Sequence, residues 1–174
     1  MKLTLLSLLI ASFSYAQEFP KDWIGNYQGN MILGNANRAN DTVPVDFEIK
    51  TEIQDSIWTY KMTYHSDLYG EMVKNYRIVA TQIGDQKNFL FDEKNGIKME
   101  MTHMNGTFYG MYDVMGSTFI SSMRFINEQL LIELISASRK KKFTTQTEAT
   151  EGEKTIVADS YKPMLHQTVW LTRQ

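Results

Sequence analysis

The sequence predicts an all-β fold: a single antiparallel up-and-down β-barrel of about 10 strands. Three observations carry that reading. Short segments alternate apolar and polar residues with period two along most of the chain. Turn signals separate these segments at short intervals, with Asn95-Gly96 and Asn105-Gly106 the strongest. No segment sustains a helical period with caps at its ends. So many strands leave exposed edges unless the sheet closes on itself, and consecutive hairpins suit up-and-down closure better than a Greek-key sandwich.

The domain is preceded by an address. Lys2 gives a positive start, residues 3–13 are apolar apart from Thr4, Ser7 and Ser12, and Ser14-Tyr15-Ala16 presents small residues where a signal peptidase reads. Residues 1–16 are therefore expected to be a secretory signal peptide cleaved between Ala16 and Gln17. The run is too short to span a bilayer, which takes about 20 apolar residues. Residues 17–174 then form the single barrel domain.

The first strand is expected over residues 23–33, with Trp23, Gly25, Tyr27, Gly29 and Met31 on one face and a loop over 34–41. Val43, Val45, Phe47, Ile49, Thr51 and Ile53 alternate with Pro44, Asp46, Glu48, Lys50 and Glu52, as in a strand with one wet side and one buried side. After a turn at 54–56, Trp58, Tyr60, Met62 and Tyr64 face inward, followed by a loop over 65–70. Residues 72–83 form a strand of open facing. Residues 89–91 and 97–101 flank the Asp92–Gly96 connection, and Met99 and Met101 alternate with Lys98 and Glu100. Strands at 107–114 and 118–126 flank Met115-Gly116-Ser117, and another follows at 129–138. The basic run Arg139-Lys140-Lys141-Lys142 reads as a solvated hairpin end, and the chain closes with strands near 143–147, 154–160 and 166–173.

Composition narrows the function. Removing sixteen residues from 174 leaves 158, enough for one domain that buries about 68–70% of its unfolded surface. The net charge is −2. That gives no electrostatic footprint for nucleic acid, and no second apolar segment suggests membrane insertion. There are no cysteines, so disulfides, thiolate metal sites and a cysteine nucleophile are excluded. An exported cysteine-free domain points to a bacterial periplasmic or extracellular protein.

The segment Trp23-Ile24-Gly25-Asn26-Tyr27-Gln28-Gly29 resembles the opening strand of calycin-type barrels, the superfamily of lipocalins, fatty-acid-binding proteins and avidins; the nitrobindin-like haem barrels are similar in shape. In those proteins a tryptophan and glycines near the N-terminus plug one barrel end. The resemblance implies a barrel for hydrophobic ligands. Here Gly25 follows the tryptophan rather than preceding it, no C-terminal helix is evident, and His166 is the one histidine late in the chain. The resemblance therefore implies no particular ligand and no binding residue.

The expected inner faces are rich in methionine and aromatics. Methionine adapts to irregular apolar partners, and tyrosine adds a hydroxyl that can orient a ligand. Trp58, Tyr60, Met62, Tyr64, Met99, Met101 and Met111 are the candidate lining for a small apolar molecule with a polar end, with Phe47 beside them. Arg124 is a candidate anchor for a carboxylate. Its facing is open, as is that of Arg77: either strand can instead turn Tyr76 and Ile78, or Met123 and Phe125, to the core. His103 follows Met99 and Met101 in parity and is expected near the barrel mouth, and Asp113 shares a face with Tyr109 and Met111. No metal-ligand spacing, nucleophile elbow, phosphate loop or dinucleotide fingerprint occurs, so no cofactor is called for. A filled barrel acting through its first loop and basic run, and an enzyme pairing a histidine with an acid inside a pocket, remain as other readings.

Overall fold

The computed structural model describes residues 18–35, 38–148 and 154–174, without the side chains of Arg38 and Lys141. The expected signal peptide and its cleavage site lie outside these residues, as does the turn at 151–153. Eleven strands are described: β1 (Gly25–Asn35), β2 (Arg38–Ile49), β3 (Thr51–Ile53), β4 (Ile57–Ser66), β5 (Gly70–Ala80), β6 (Asn88–Asp92), β7 (Lys98–Met104), β8 (Thr107–Val114), β9 (Ser117–Ile126), β10 (Gln129–Gln146) and β11 (Val157–Arg173). They form one antiparallel sheet in the order β2-β1-β11-β10-β9-β8-β7-β6-β5-β4-β3. β2 also pairs with β4, from Val45 opposite Tyr64 to Glu48 opposite Lys61, and this closes the sheet into a barrel. β3 continues β2 past a break at Lys50, so the closed barrel has ten staves.

Several boundaries differ from the expectation. The loop placed at 34–41 is largely strand, because β1 and β2 stay paired out to Asn35 opposite Arg38. Thr51 and Ile53 do not continue the buried face of β2: the strand breaks at Lys50, the pairing with β4 shifts register between Thr51 and Ile53, and both are exposed. The basic run is not a hairpin end but an irregularity inside β10. Ala137 pairs with Pro163 and Lys142 with Tyr161, so the β10–β11 ladder is interrupted over 138–141, while Ser138 stays paired with Ser117 of β9 and Arg139 N–H donates to Gly116 O (3.0 Å). Arg139 pairs there with Asp113 (2.7 Å) and Lys142 with Asp159 (2.7 Å). Beyond this point β10 and β11 pair only with each other, forming an arm that leaves the barrel.

One barrel end is shut by the N-terminal turn. Asp22 N–H donates to Glu18 O (2.9 Å) and Trp23 N–H to Pro20 O (3.0 Å), which folds Phe19 and Trp23 across the opening. Phe19 meets Trp58 and Phe108 edge-on at 4.8 Å each and Phe89 at 5.3 Å. Trp23 meets Phe108 at 5.3 Å and Phe125 at 5.2 Å. Edge-to-face pairs of this kind add about 0.5–1.5 kcal/mol each beyond burial. The Tyr27 hydroxyl donates to Trp23 O (2.6 Å) and accepts from Arg173 Nη2 (2.9 Å), tying β1 and β11 to the plug.

Gly29 lets these two strands approach. A Cβ there would lie 1.8 Å from the Trp170 carbonyl oxygen, so no side chain fits.

Candidate functional site

Away from the plug the interior is not filled. A cavity of about 110 Å³ lies in the half of the barrel toward the β4–β5 and β6–β7 turns. Alternation along each strand sets its wall. β4 contributes Tyr60, Met62 and Tyr64; β7 contributes Met99 and Met101; β5 and β8 contribute Tyr76 and Tyr112; Met123, Ile132 and Val169 come from β9, β10 and β11. Gly110 helps to keep the space open. A Cβ there would meet Ser121 Oγ at 2.7 Å and Met101 Cγ at 3.6 Å. At the rim stand Lys74, Glu93 and Gln167, and the Lys74 ammonium lies 5.8 Å from the centre of the Tyr64 ring.

The aromatic side of the wall is held by ring contacts. Tyr60 meets Phe47 at 4.7 Å and Phe91 at 4.5 Å, both edge-on, and stacks with Tyr76 at 6.4 Å. Tyr112 stacks on Phe119 at 5.5 Å. Burial is the leading cause that raises the pKa of each phenol. Tyr60 stands well above the ordinary value, reinforced by Tyr64, Tyr112 and Tyr76. Tyr64 is pushed up to about 12, with hydrogen bonding to Gln167 acting against burial. For Tyr76 and Tyr112 the Glu93 carboxylate adds to burial. All four phenols are therefore neutral at ordinary pH, able both to donate and to accept a hydrogen bond.

Of the residues expected from the sequence, Tyr60, Met62, Tyr64, Met99 and Met101 meet in this wall. Trp58 lies one layer toward the plug, packed on Phe19 and Phe89. Met111 is 72% exposed, because β8 turns Phe108, Gly110 and Tyr112 inward rather than Tyr109, Met111 and Asp113. Arg124 is on the outer face of β9, as the burial of Met123 beside it requires. Its Nη2 is 2.7 Å from Glu133 Oε2, and its Nη1 donates to Ser122 Oγ (2.9 Å). Arg77 likewise faces outward and donates to Glu52 (2.8 Å).

The sequence reading missed Tyr112, Gln167, Lys74 and Glu93 as neighbours of the site. Tyr112 is recoverable from Phe108-Gly110-Tyr112 once Gly110 is recognised as an inner position. Glu93 is in a turn and has no periodic signal at all.

No histidine lines the cavity. His103 sits at the plugged end rather than the mouth, with its ring 6.1 Å from that of Trp23, and its Nδ1–H donates to Gln86 O (3.3 Å). Burial depresses its pKa. His65 Nε2 is 2.8 Å from Asp46 Oδ2, and His166 Nε2 is 3.8 Å from Glu133 Oε1; both histidines are exposed. The histidine–acid pair inside a pocket that an enzyme reading needs is not present among the described residues. Nor, among them, is there a group of three metal-ligating side chains, or a helix long and apolar enough to cross a membrane.

No family model and no curated protein matches the sequence. Solved structures do match in fold. The S-type phycobiliprotein lyase CPES from Guillardia theta aligns with a TM-score of 0.58 at 10% identity, over 87% of this chain and 88% of that one. A protein of unknown function from the DUF3598 family of Nostoc punctiforme aligns with a TM-score of 0.57 at 12% identity, over 88% of this chain but only 48% of the other. Rv2717c from M. tuberculosis aligns with a TM-score of 0.52 at 10% identity, over 87% and 92%. At such identities the likeness is one of fold, and the fold is a closed, lipocalin-like β-barrel.

Proposed function

We propose that this chain is an exported barrel that binds a small, mostly apolar molecule carrying a polar end, taken up through the unplugged end of the barrel. The observation that carries this reading is the asymmetry of the interior. Aromatic rings fill one half, while the other half holds a cavity lined by methionine and tyrosine with Lys74, Glu93 and Gln167 at its rim. Ligand sites are concave and mostly apolar with a few polar groups that fix orientation. Their usual volumes, about 300–1,000 Å³, exceed this one, whereas a dry cavity of about 150 Å³ is known to take benzene. The chamber therefore suits a single ring or a short branched end, with the rest of the molecule among the rim residues. Adaptable methionine side chains supply further room.

Export rests on residues 1–16 and is part of the same proposal. Native mass spectrometry of protein purified gently from its own host tests both parts. The expected result is a chain beginning at Gln17 with a bound mass that leaves on denaturation. A chain retaining residues 1–16 would count against export, and a ligand-free mass would count against the carrier reading. A second reading is supported by the β10–β11 arm, which exposes Phe143, Ile156 and Val157 beyond the barrel: the arm would dock a protein partner. Removing residues 143–156 would then abolish that association and leave cavity binding intact.

A further inference from the structure

We infer that the polar end of the ligand is an uncharged acceptor oxygen, of carbonyl or ether type, held inside the cavity by the phenols of Tyr60 and Tyr112. The inference rests on the cavity being the ligand site and deepens that reading. Tyr60 is only 8% exposed and borders the cavity, yet its hydroxyl has no hydrogen-bond partner among the described residues, and neither has that of Tyr112. Both residues border the cavity and neither hydroxyl is met by the protein, so a guest there that offered no acceptor would leave each donor unmet at a cost. Neither ring is free to turn away. Tyr60 is wedged between Phe47 and Phe91, and Tyr112 lies on Phe119.

The other polar groups of the wall are already engaged: Ser121 Oγ lies 3.5 Å from Gly110 O, Tyr64 has Gln167, and Tyr76 has Glu93. The two unpartnered groups are neutral, and each has a proton to give.

Charge selects among ligands that could accept it. Around these phenols the lining is Met62, Phe91, Met99, Met123 and Val169, and its two carboxylates, Glu93 and Glu133, offer a buried anion no counter-charge. Glu93 acts electrostatically on both Tyr76 and Tyr112, which sets it against an anion placed between them. Lys74 stands out over Tyr64, in solvent. A neutral oxygen escapes both penalties and receives both protons.

The test compares acetophenone with ethylbenzene, which differ in a carbonyl against a methylene, and with benzoate, which adds the charge. Affinities for the full chain would be measured by NMR titration. Acetophenone should bind about tenfold tighter than ethylbenzene, as one or two buried hydrogen bonds allow, and benzoate more weakly than acetophenone. Tyr60→Phe should weaken acetophenone alone and bring the ratio close to one. Tyr112→Phe should lower it partway. Both variants should keep the native melting temperature within a few degrees. Ethylbenzene binding with no preference for acetophenone, a preference that survives in the double variant, or benzoate binding tightest would each overturn the inference while leaving the cavity as a ligand site. Binding of none of the three would overturn the cavity reading as well.

Discussion

The two halves of this barrel are built from the same strands and solve opposite problems. Toward the plug, Phe19, Trp23, Trp58, Phe89 and Phe108 interlock edge to face, and all five are buried. Toward the mouth the same strands present Tyr64, Tyr76, Met99 and Tyr112, which surround space instead of filling it. β4 passes through both regimes within a few residues, from Trp58 in the plug to Tyr64 at the cavity. Packing at one end supplies the stability that allows the other end to stay hollow. A void forfeits dispersion contacts along its lining, and that loss is tolerable only where the remaining core is dense.

Substitutions should separate the halves. Trp23→Ala, in the plug, should cost about 3–5 kcal/mol by chemical denaturation. Met99→Ala, in a wall that already lacks neighbours on one side, should fall at the low end of its class, about 2 kcal/mol. Equal losses would mean that the mouth half is packed as tightly as the plug. Gly29→Ala comes next. Its Cβ would collide with the Trp170 carbonyl, so β1 and β11 must part, at a cost of about 1–3 kcal/mol. Amide exchange on both strands should accelerate, and unchanged exchange would show that the close approach is not needed.

The halves should also fail at opposite ends of the pH scale. In the mouth half, an unfolded phenol loses its proton from about pH 10 while Tyr64 holds its own to about 12. Over that window the folded state binds more protons, so stability present below pH 10 declines as pH rises, by about 2–3 kcal/mol for this group. The ring signals of Tyr64, followed by NMR, should report its phenolate together with unfolding, and a Tyr64 phenolate in the folded chain near pH 10 would contradict the burial. In the plug, His103 is depressed by burial, so below about pH 6.5 the unfolded imidazole takes a proton that the folded one resists. Stability present above that pH declines as pH falls, and His103→Gln should remove part of the acid sensitivity. The smallest effect belongs to Arg124→Ala. Its ion pair with Glu133 is partly exposed, so stability should change by about 1 kcal/mol or less.

Much of the barrel was legible in the sequence, and the errors have a common physical origin. Period-two alternation located the staves, and the inward set of β4 was readable because Lys61 marks its outer face. Parity failed where both faces of a strand carry apolar residues. In β8, Tyr109 and Met111 compete with Phe108 and Tyr112, and Gly110 conceals the inner face. In β9 the sequence left Arg124 open because its outward partners, Ser122 and Glu133, include a residue on another strand. Local periodicity also does not register a shift in a ladder, so the exposure of Thr51 and Ile53 and the irregularity at the basic run were out of reach. The plug was implied by Trp23 and its glycines. The cavity was not, since it depends on eight strands turning side chains toward one point.

The central claim is that the unplugged half of the interior is the binding site, and methionine methyl NMR tests it most directly. Titration of the full chain with ethylbenzene should shift the methyl signals of Met62, Met99, Met101 and Met123, which border the cavity, and leave those of exposed Met111 and Met115 in place. Shifts confined to Met111 and Met115, or no shifts at any methionine, would contradict it.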